Sequence, residues 1–295
     1  MNRILFTAYR IVVPKPIRTI IRRRNIRKNI LKYYSSLPES EINEEQLEVL
    51  RFLESHQLET FPYPFFSDYS SKNIEVHLDE EKRLHYVIHE GKKLYFKRRW
   101  SKRRIRKGYS NLLREQDPMS AHRYLEGDFD VTTDDVIADI GAAEGNFSLS
   151  IVDRVKKIFI FEYNADWIEA LEATFEPWKD KVEIIGKMVS DKDDKHNISL
   201  DTFIKEHDDI TFLKIDVDGA EQRVISSSNM LLDSATPVKI ALCTYHKNDD
   251  ERIFTHILQG NGFKVSPSRG YMVYYFDKKM KAPYLRRGLL RAVRS

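Results

Sequence analysis

The sequence predicts an α/β fold built on a parallel, doubly wound sheet. After about residue 130, short apolar runs that suit strands alternate with helical segments, beginning with VIADI at 136–140 and IFIFE at 158–162. Parallel strands require crossover connections, which helices usually supply. A glycine-containing turn follows the first strand in DVIADIGAAEGNFSLS, residues 135–150. Ligands of such sheets bind beyond the carboxyl ends of the strands, so this turn is the first candidate site.

The remaining strands and helices continue the alternation as far as a terminal hairpin. The predicted strands are VEIIG (182–186), TFLKIDV (211–217) and VKIALCTY (238–245), and the predicted helices start at Asn146, in DWIEALEATF, near Ala220 and in DDERIFTHILQGNG. FKV and YMVYYF then flank the turn SPSRG, which predicts a hairpin whose last strand is antiparallel to its neighbour. An ordinary dinucleotide-binding fold does not require that hairpin.

The first 110 residues precede this alternation. The stretch IRTIIRRRNIRKNILKYY has apolar residues every three or four positions among arginines and predicts a basic amphipathic helix. A second amphipathic helix follows in INEEQLEVLRFLESH, and three short β-prone runs between 74 and 96 predict a small meander. We therefore predict four units: a basic segment at 1–38, an accessory region at 39–110, an α/β domain at 111–280 and a basic tail at 281–295.

The composition is that of a folded protein. Hydrophobic residues make up 41% of the 295 positions, which is enough for a buried core and excludes a disordered chain. The single cysteine, Cys243, lies in the apolar run KIALCTY, so no internal disulfide forms and a reducing compartment is favoured. No apolar run approaches the roughly 18 residues of a membrane-spanning helix. We expect a cytoplasmic protein, with peripheral attachment to a membrane as the alternative.

Basic residues are concentrated in three segments, at 3–32, 97–107 and 281–294. The net charge of +4 conceals this asymmetry, because the body of the chain is acidic. The segments are either solvated faces that balance the acidic body, or contacts to an anionic membrane or to an acceptor that bears phosphate, such as a nucleotide-linked or lipid-linked sugar. Nucleic acid ranks lower, since no reading helix or RNA-binding module is recognisable.

The turn at 135–150 carries groups that suit a nucleoside. Asp139, Gly141 and Gly145 lie at the end of the first strand, and Gly141 permits a tight turn that exposes backbone N–H groups. Glu162 ends the second strand, where it can hydrogen-bond a ribose diol. Asp191 follows the third strand, where it can meet an adenine amino group. The alternative is a structural turn with solvent-facing acids.

Two features disfavour a dinucleotide in this turn. The spacing GxGxxG is absent, and Glu144 stands where a pyrophosphate would be repelled. A ligand that ends in an amino acid, with an ammonium as well as a carboxylate, tolerates acids far better. The turn therefore predicts S-adenosylmethionine.

Four motifs resemble those of the FkbM-type methyltransferases, in the same order and at compatible spacing. They are VIADIGAAEGNFSL, ISLDTF (198–203), FLKIDVDGAEQRVI (212–225) and ALCTYHK (241–247). LKIDVDGAE is the most specific, and the resemblance covers roughly residues 115–276. It implies a seven-stranded Rossmann-like methyltransferase sheet that uses S-adenosylmethionine, usually to methylate a hydroxyl. Asp218 stands where a glutamate is frequent in the family, which keeps the charge and shortens its reach.

The predicted cofactor site combines the turn with the ends of the following strands. Its members are Asp139, Gly141, Ala142, Gly145, Asn146, Glu162, Ser190, Asp191 and Asp216.

The predicted catalytic residues are Asp216, His246 and His122. Methyl transfer from a sulfonium is an in-line displacement, so the protein must orient the acceptor and accept or share its proton. Asp216 ends the fourth strand and can orient the acceptor. His246 follows the fifth strand and is the first choice of general base, with His122 second; for both, a structural histidine is the alternative. A divalent cation on Asp216 with Asp218 and Glu221 is possible chemically but is not favoured.

These observations predict a methyltransferase that acts on a hydroxyl of a sugar, glycoconjugate or small metabolite, with the accessory region forming part of the acceptor pocket. One alternative is a nicotinamide-dependent oxidoreductase, which the turn and the hairpin disfavour. The other is a catalytically inactive, methyltransferase-like protein that binds a membrane or nucleic acid.

Overall fold

The computed structural model describes residues 15–207, 209–234 and 236–294. The helices are α1 (Lys15–Tyr34), α2 (Glu44–Ser55), α3 (Lys102–Glu115), α4 (Asn146–Ile151), α5 (Ala165–Phe175), α6 (Leu200–Ile204), α7 (Glu221–Ser226), α8 (Asn229–Asp233) and α9 (Asp250–Gly260). The strands are β1 (His77–Asp79), β2 (Leu84–His89), β3 (Lys92–Tyr95), β4 (Val136–Ile140), β5 (Lys157–Phe161), β6 (Val182–Ile185), β7 (Met188–Val189), β8 (Asn197–Ile198), β9 (Phe212–Ile215), β10 (Val238–Cys243), β11 (Lys264–Pro267) and β12 (Leu289–Arg294).

The described residues form a seven-stranded sheet in the order β11-β12-β10-β9-β4-β5-β6. Strands β10, β9, β4, β5 and β6 are parallel, whereas β12 is antiparallel to both β10 and β11. The chain order reverses between β4 and β9, so the carboxyl ends of these two strands flank the switch point at which ligands bind in such sheets. The predicted α/β class and the seven strands are confirmed.

Both faces of the central strands are covered. Along β4, the side chains of Val136, Ala138 and Ile140 belong to one hydrophobic core, whereas Ile137 belongs to the other. Successive side chains of a strand point to opposite faces, so each face of the sheet has its own core. This burial explains why the parallel strands read as continuous apolar runs.

The predicted terminal hairpin is wrong in its second strand. Strand β11 pairs with β12, which lies in the predicted basic tail, and not with residues 271–276. Three apolar residues of β12 are fully buried: Leu289, Leu290 and Ala292. Arg291 is buried as well, and its guanidinium donates to the carbonyls of Arg123 and Tyr124 and pairs with Glu126. The charge of Arg291 is therefore compensated inside the fold, which the distribution of charge along the sequence does not reveal. Ser295 lies outside the described residues.

The N-terminal helices pack on the segment that was predicted to be the last strand. Ile30 and Tyr34 of α1 and Leu53 of α2 share a buried cluster with Tyr271 and Val273. The helix α2 begins with a capping box between Asn43 and Gln46, which satisfies orphan N–H groups at its first turn. The predicted basic amphipathic helix is present from residue 15, and residues 1–14 of the 1–38 segment lie outside the described residues.

The accessory region is continuous with the α/β sheet. Strands β1, β2 and β3 form the predicted antiparallel meander. Helix α3 begins after Ser101, whose side chain caps the N–H of Arg104, and it buries Ile105 and Leu112 in the same core as Ile137 of β4. The predicted division between residues 110 and 111 falls within α3. Across residues 15–207, 209–234 and 236–294, every helix is too short or too polar to cross a membrane.

Candidate active site

A cleft of about 660 Å³ opens at the carboxyl ends of β4, β5 and β9. Helix α3 contributes one wall, and the turns after the three strands contribute the floor. Of the predicted site residues, the cleft is lined by Gly141, Glu162 and Asp216. It also contains residues that the sequence did not single out, namely Lys97, Trp100, Glu115, Tyr163, Trp167, Lys187, Met188 and Tyr245.

The turn after β4 depends on two glycines. Gly141 has a φ of 80°, and a Cβ atom added there would lie 2.1 Å from the carbonyl oxygen of Asp216. Gly145 has a φ of 77°, and its Cβ would lie 2.5 Å from Leu171 Cδ2. Only glycine avoids both the left-handed strain and the clash. The wide glycine spacing is thus required by the close approach of β9 and α5 to this turn.

Glu162 is held rigidly at the cleft by backbone groups. Its Oε2 accepts the N–H of Ala143 at 3.1 Å, and its Oε1 accepts the N–H of Asn164 at 2.7 Å. An ionised carboxylate has about four acceptor positions, so two remain for hydroxyl groups in the cleft. The predicted diol-binding role is therefore compatible with the geometry.

Asp139 lies in the interior and does not line the cleft. Its Oδ2 accepts from Ser148 Oγ at 2.7 Å, and its Oδ1 lies 3.0 Å from Lys214 Nζ. Lys214 also donates to the carbonyl of Gly141 at 2.7 Å. Asp139 thus supports the turn through Lys214 instead of facing a ligand.

The other predicted cofactor residues do not line the cleft either. Ala142, Gly145, Asn146 and Ser190 are buried behind it, and Asp191 is exposed and accepts a hydrogen bond from Ser190 Oγ at 3.0 Å. At the end of the third strand, Met188 and Val189 face the cleft instead. The geometry therefore offers an apolar surface where the sequence predicted an acid.

Asp216 is the centre of a hydrogen-bonded network. Tyr124 donates to its Oδ2 at 2.9 Å, Tyr245 donates to its Oδ1 at 3.2 Å, and His122 Nε2 lies 3.3 Å from Oδ2. Burial alone would raise the pKa of Asp216, but the hydrogen bond and charge of His122, with Lys214, hold it well below its usual range. The carboxylate is therefore ionised. His122 is buried behind it, off the cleft, so its placement suits positioning of Asp216.

His246 lies among three carboxylates. Its Nδ1 is 2.9 Å from Glu221 Oε1, and its Nε2 is 3.7 Å from Asp218 Oδ1 and 3.8 Å from Asp216 Oδ1. Burial lowers the pKa of His246, but the nearby carboxylates of Asp218 and Glu221 and the charge of Asp216 outweigh burial and raise it to about 10. The imidazole is protonated at neutral pH in this state. A general base must be neutral, so the predicted role of His246 first requires loss of this proton.

A second cleft of about 650 Å³ lies on the other side of Asp218. Asp218 has an exposed side chain and a φ of 52°, and it lines both clefts. The second cleft also contains His246, Lys247, Tyr274, Asp277, Lys279 and Lys281. The sequence missed Tyr274, Lys279 and Lys281. Tyr274 was assigned to a strand and Lys281 to the tail, and the distance of all three from His246 along the chain hides their proximity.

Glu144 lines the cleft, and its protonation makes the stability of the fold depend on pH. Burial, followed by the nearby Glu115, raises the pKa of Glu144 to about 7. The folded state therefore binds this proton more tightly than the unfolded chain does. The contribution of protonated Glu144 to the free energy of unfolding is fully present below the unfolded pKa and is lost as the pH rises through 7. We expect Glu144→Gln to raise the free energy of unfolding by about 1–2 kcal/mol at pH 8 and to change it little at pH 5.

Urea denaturation at pH 5 and pH 8 measures this difference. Glu172→Gln is the matched control, because Glu172 is an exposed glutamate of α5. An equal change for Glu144→Gln at both pH values would contradict the prediction.

Comparisons with known proteins find similarity to methyltransferases. The family model of the methyltransferase FkbM domain matches residues 171–265. Among solved structures, the FkbM methyltransferase of Methylobacillus flagellatus KT is 13% identical, with a TM-score of 0.42, over 78% of this chain and 58% of that one. The chain thus spans somewhat more than half the length of that methyltransferase.

Two further structures are similar at a comparable level. TYW2 of M. jannaschii, solved in complex with AdoMet, is 14% identical, with a TM-score of 0.39, over 75% of this chain and 85% of that one. An rRNA methylase of Streptococcus thermophilus is 11% identical, with a TM-score of 0.38, over 56% and 89%. Comparison with curated proteins found no match. Over residues 171–265, about a third of the chain, the sequence thus matches the methyltransferase FkbM domain.

Proposed function

We propose that the chain is an S-adenosylmethionine-dependent methyltransferase that acts on a hydroxyl of a sugar, glycoconjugate or small metabolite. The observation that carries the proposal is the meeting of Gly141, Glu162 and Asp216 in one cleft at the switch point of the sheet. The match of residues 171–265 to the FkbM methyltransferase domain supports the same reaction class.

The cleft suits a nucleoside whose other end is an amino acid. Glu162 presents free acceptor positions for a ribose diol, and Met188, Val189 and Trp167 offer apolar surface for a base. Glu115 and Glu144 line the same cleft, and in their ionised form they favour an ammonium or a sulfonium and repel a pyrophosphate. This distribution of charge also weighs against the nicotinamide-dependent alternative.

The acceptor would lie between the two clefts. When bound, S-adenosylmethionine supplies an electrophilic methyl group on a sulfonium. Asp216 is ionised and held by Tyr124 and Tyr245, so it accepts a hydrogen bond from the acceptor hydroxyl and fixes the direction of the oxygen lone pair. Asp216 is therefore better placed than the protonated His246 to receive the first hydrogen bond from the acceptor.

The second cleft supports an acceptor that carries negative charge. Lys247, Lys279 and Lys281 line it beside His246, and Tyr274 presents an aromatic ring there. Lysine ammonium groups bind phosphate and carboxylate oxygens as point charges. A sugar linked to a phosphate group would contact the lysines with its phosphate and the ring of Tyr274 with its sugar.

Transfer of tritiated methyl groups tests the reaction. The full chain is incubated with labelled S-adenosylmethionine and a dephosphorylated or untreated small-molecule extract, and Glu162→Ala is the inactive comparison. We expect label in a hydroxyl-bearing acceptor, with less label after phosphatase treatment. Absence of any labelled acceptor with the unaltered chain, or equal label with Glu162→Ala, would contradict the proposal.

We also propose that α1 attaches the protein to an anionic membrane surface. Ile17, Ile20 and Ile21 are 48%, 49% and 39% exposed, among arginines of the same helix. Each basic residue near an anionic leaflet contributes about 1 kcal/mol to the free energy of membrane binding, and exposed apolar side chains insert between the lipids.

Sedimentation with liposomes measures this attachment. We expect binding to vesicles that contain phosphatidylserine, weak binding to neutral vesicles, and reduced binding of Ile20→Glu. The proposal fails if neither vesicle sediments the protein, or if RNA competes fully for the same helix.

A further inference from the structure

The environment of His246 is unusual for a structural histidine. The side chain is buried, and neither ring nitrogen makes a hydrogen bond among the described residues, although Nδ1 lies against Glu221 and Nε2 faces two other carboxylates. Those carboxylate oxygens, Asp218 Oδ1 and Asp216 Oδ1, lie at 3.7 and 3.8 Å. A buried polar atom without a partner is costly, so the gap between these three groups calls for an occupant.

We propose that a divalent cation binds between His246 Nε2, Asp216 Oδ1 and Asp218 Oδ1. Nitrogen and oxygen ligands bind such ions at about 2.0–2.2 Å, which places neighbouring ligands about 3 Å apart. The two separations from His246 Nε2 exceed this by less than 1 Å, and the exposed side chain of Asp218 is free to move toward the other two ligands. Binding replaces the imidazolium proton, which is released to solvent.

Glu221 supplies the outer partner that such a histidine requires. Its Oε1 lies 2.9 Å from His246 Nδ1 and is itself fixed by the N–H groups of Val217 and Gly219, both at 3.1 Å. A histidine that binds a metal usually donates its other ring N–H to a carboxylate, which fixes the tautomer and the orientation of the ring. Glu221 is fully buried and therefore orients His246 rather than meeting solvent.

The other cluster near Asp216 is a weaker candidate. His122 Nε2 lies 3.7 Å from Cys243 Sγ and 3.3 Å from Asp216 Oδ2, but His122 and Cys243 are both buried away from the clefts. Water or substrate could not complete the coordination of an ion there. At the proposed site, the exposed Asp218 leaves positions open to both clefts.

The position assigns the cation a role that rests on the proposed methyl transfer. Asp218 lines the cofactor cleft and the second cleft, so the ion would lie between donor and acceptor. A Lewis acid there lowers the pKa of a bound hydroxyl and makes it a better nucleophile. One imidazole and two carboxylates suit a divalent transition-metal ion such as Mn²⁺. On sequence alone, a cation on Asp216 with Asp218 and Glu221 was not favoured, and His246 was not among its ligands.

Electron paramagnetic resonance with Mn²⁺ tests the site on the full chain, with and without S-adenosylhomocysteine. We expect saturable binding of one ion in the micromolar range, weakened about tenfold or more by Asp218→Asn and by His246→Gln. Asp218 is exposed and asparagine readily adopts a positive φ, so the first variant should fold. Asp180→Asn removes the same charge from an exposed residue before β6 and should leave binding unchanged.

Two outcomes would overturn the site: no saturable Mn²⁺ binding at millimolar concentration, or equal binding by Asp218→Asn and the unaltered chain. Calorimetry with S-adenosylhomocysteine on the same preparations separates this result from the proposed function. Retained nucleoside binding without Mn²⁺ binding refutes the metal site alone, whereas Mn²⁺ binding without nucleoside binding refutes the cofactor assignment alone.

Discussion

Gly141→Ala is expected to lose most of the affinity for S-adenosylhomocysteine and to lower the free energy of unfolding by about 3 kcal/mol. The left-handed φ of 80° costs an alanine about 1–2 kcal/mol. Its Cβ would also lie 2.1 Å from the carbonyl oxygen of Asp216, and overpacking of this kind costs about 1–3 kcal/mol more. Relief of the clash must separate the turn from β9, which moves the floor of the cleft.

Gly91→Ala is the matched control. Gly91 has the same φ of 80°, at the turn between β2 and β3, but a Cβ there would have nothing within 4 Å. Alanine at Gly91 should therefore show the backbone cost alone, about 1–2 kcal/mol, with unchanged nucleoside binding. Denaturant unfolding and calorimetry measure both quantities. Equal losses in the two variants would show that the close approach to Asp216 has no energetic consequence.

His246→Ala is expected to lower turnover by about 10² or more while it leaves the affinity for S-adenosylhomocysteine nearly unchanged. His246 lies beside Asp216 and Asp218 and in the second cleft, but it does not line the cofactor cleft. Its loss should therefore affect the transfer step rather than nucleoside binding. The prediction holds whether His246 accepts a proton or binds a cation, because both roles act on the acceptor.

Transfer of labelled methyl groups to the identified acceptor measures turnover, and calorimetry measures affinity. His256→Ala is the control, since His256 is an exposed histidine of α9. Turnover of His246→Ala equal to that of the control would remove His246 from the chemistry.

The sequence predicted best what depends on local pattern. The strands of the sheet follow from apolar runs between helices, and Gly141, Glu162 and Asp216 follow from their positions at strand ends. Asp139 also ends a strand, but its side chain is buried and pairs with Lys214 of the neighbouring strand instead of lining the cleft.

Contacts between distant parts of the chain could not be predicted. The arginines of β12 look solvated in sequence, yet Arg291 is satisfied by carbonyls some 170 positions away. The protonation of His246 likewise depends on three carboxylates held in one geometry. Lys214 was overlooked because a lysine within a strand gives no sign that its partner is Asp139 on the neighbouring strand.

Calorimetric titration with S-adenosylhomocysteine tests the central claim most directly, which is that the cleft at Gly141 and Glu162 binds this nucleoside. We predict saturable binding to the unaltered chain, about tenfold or more weaker binding to Glu162→Gln, which loses acceptor positions, and no binding of NAD. No detectable heat or thermal shift with millimolar S-adenosylhomocysteine, or tighter binding of NAD, would contradict it.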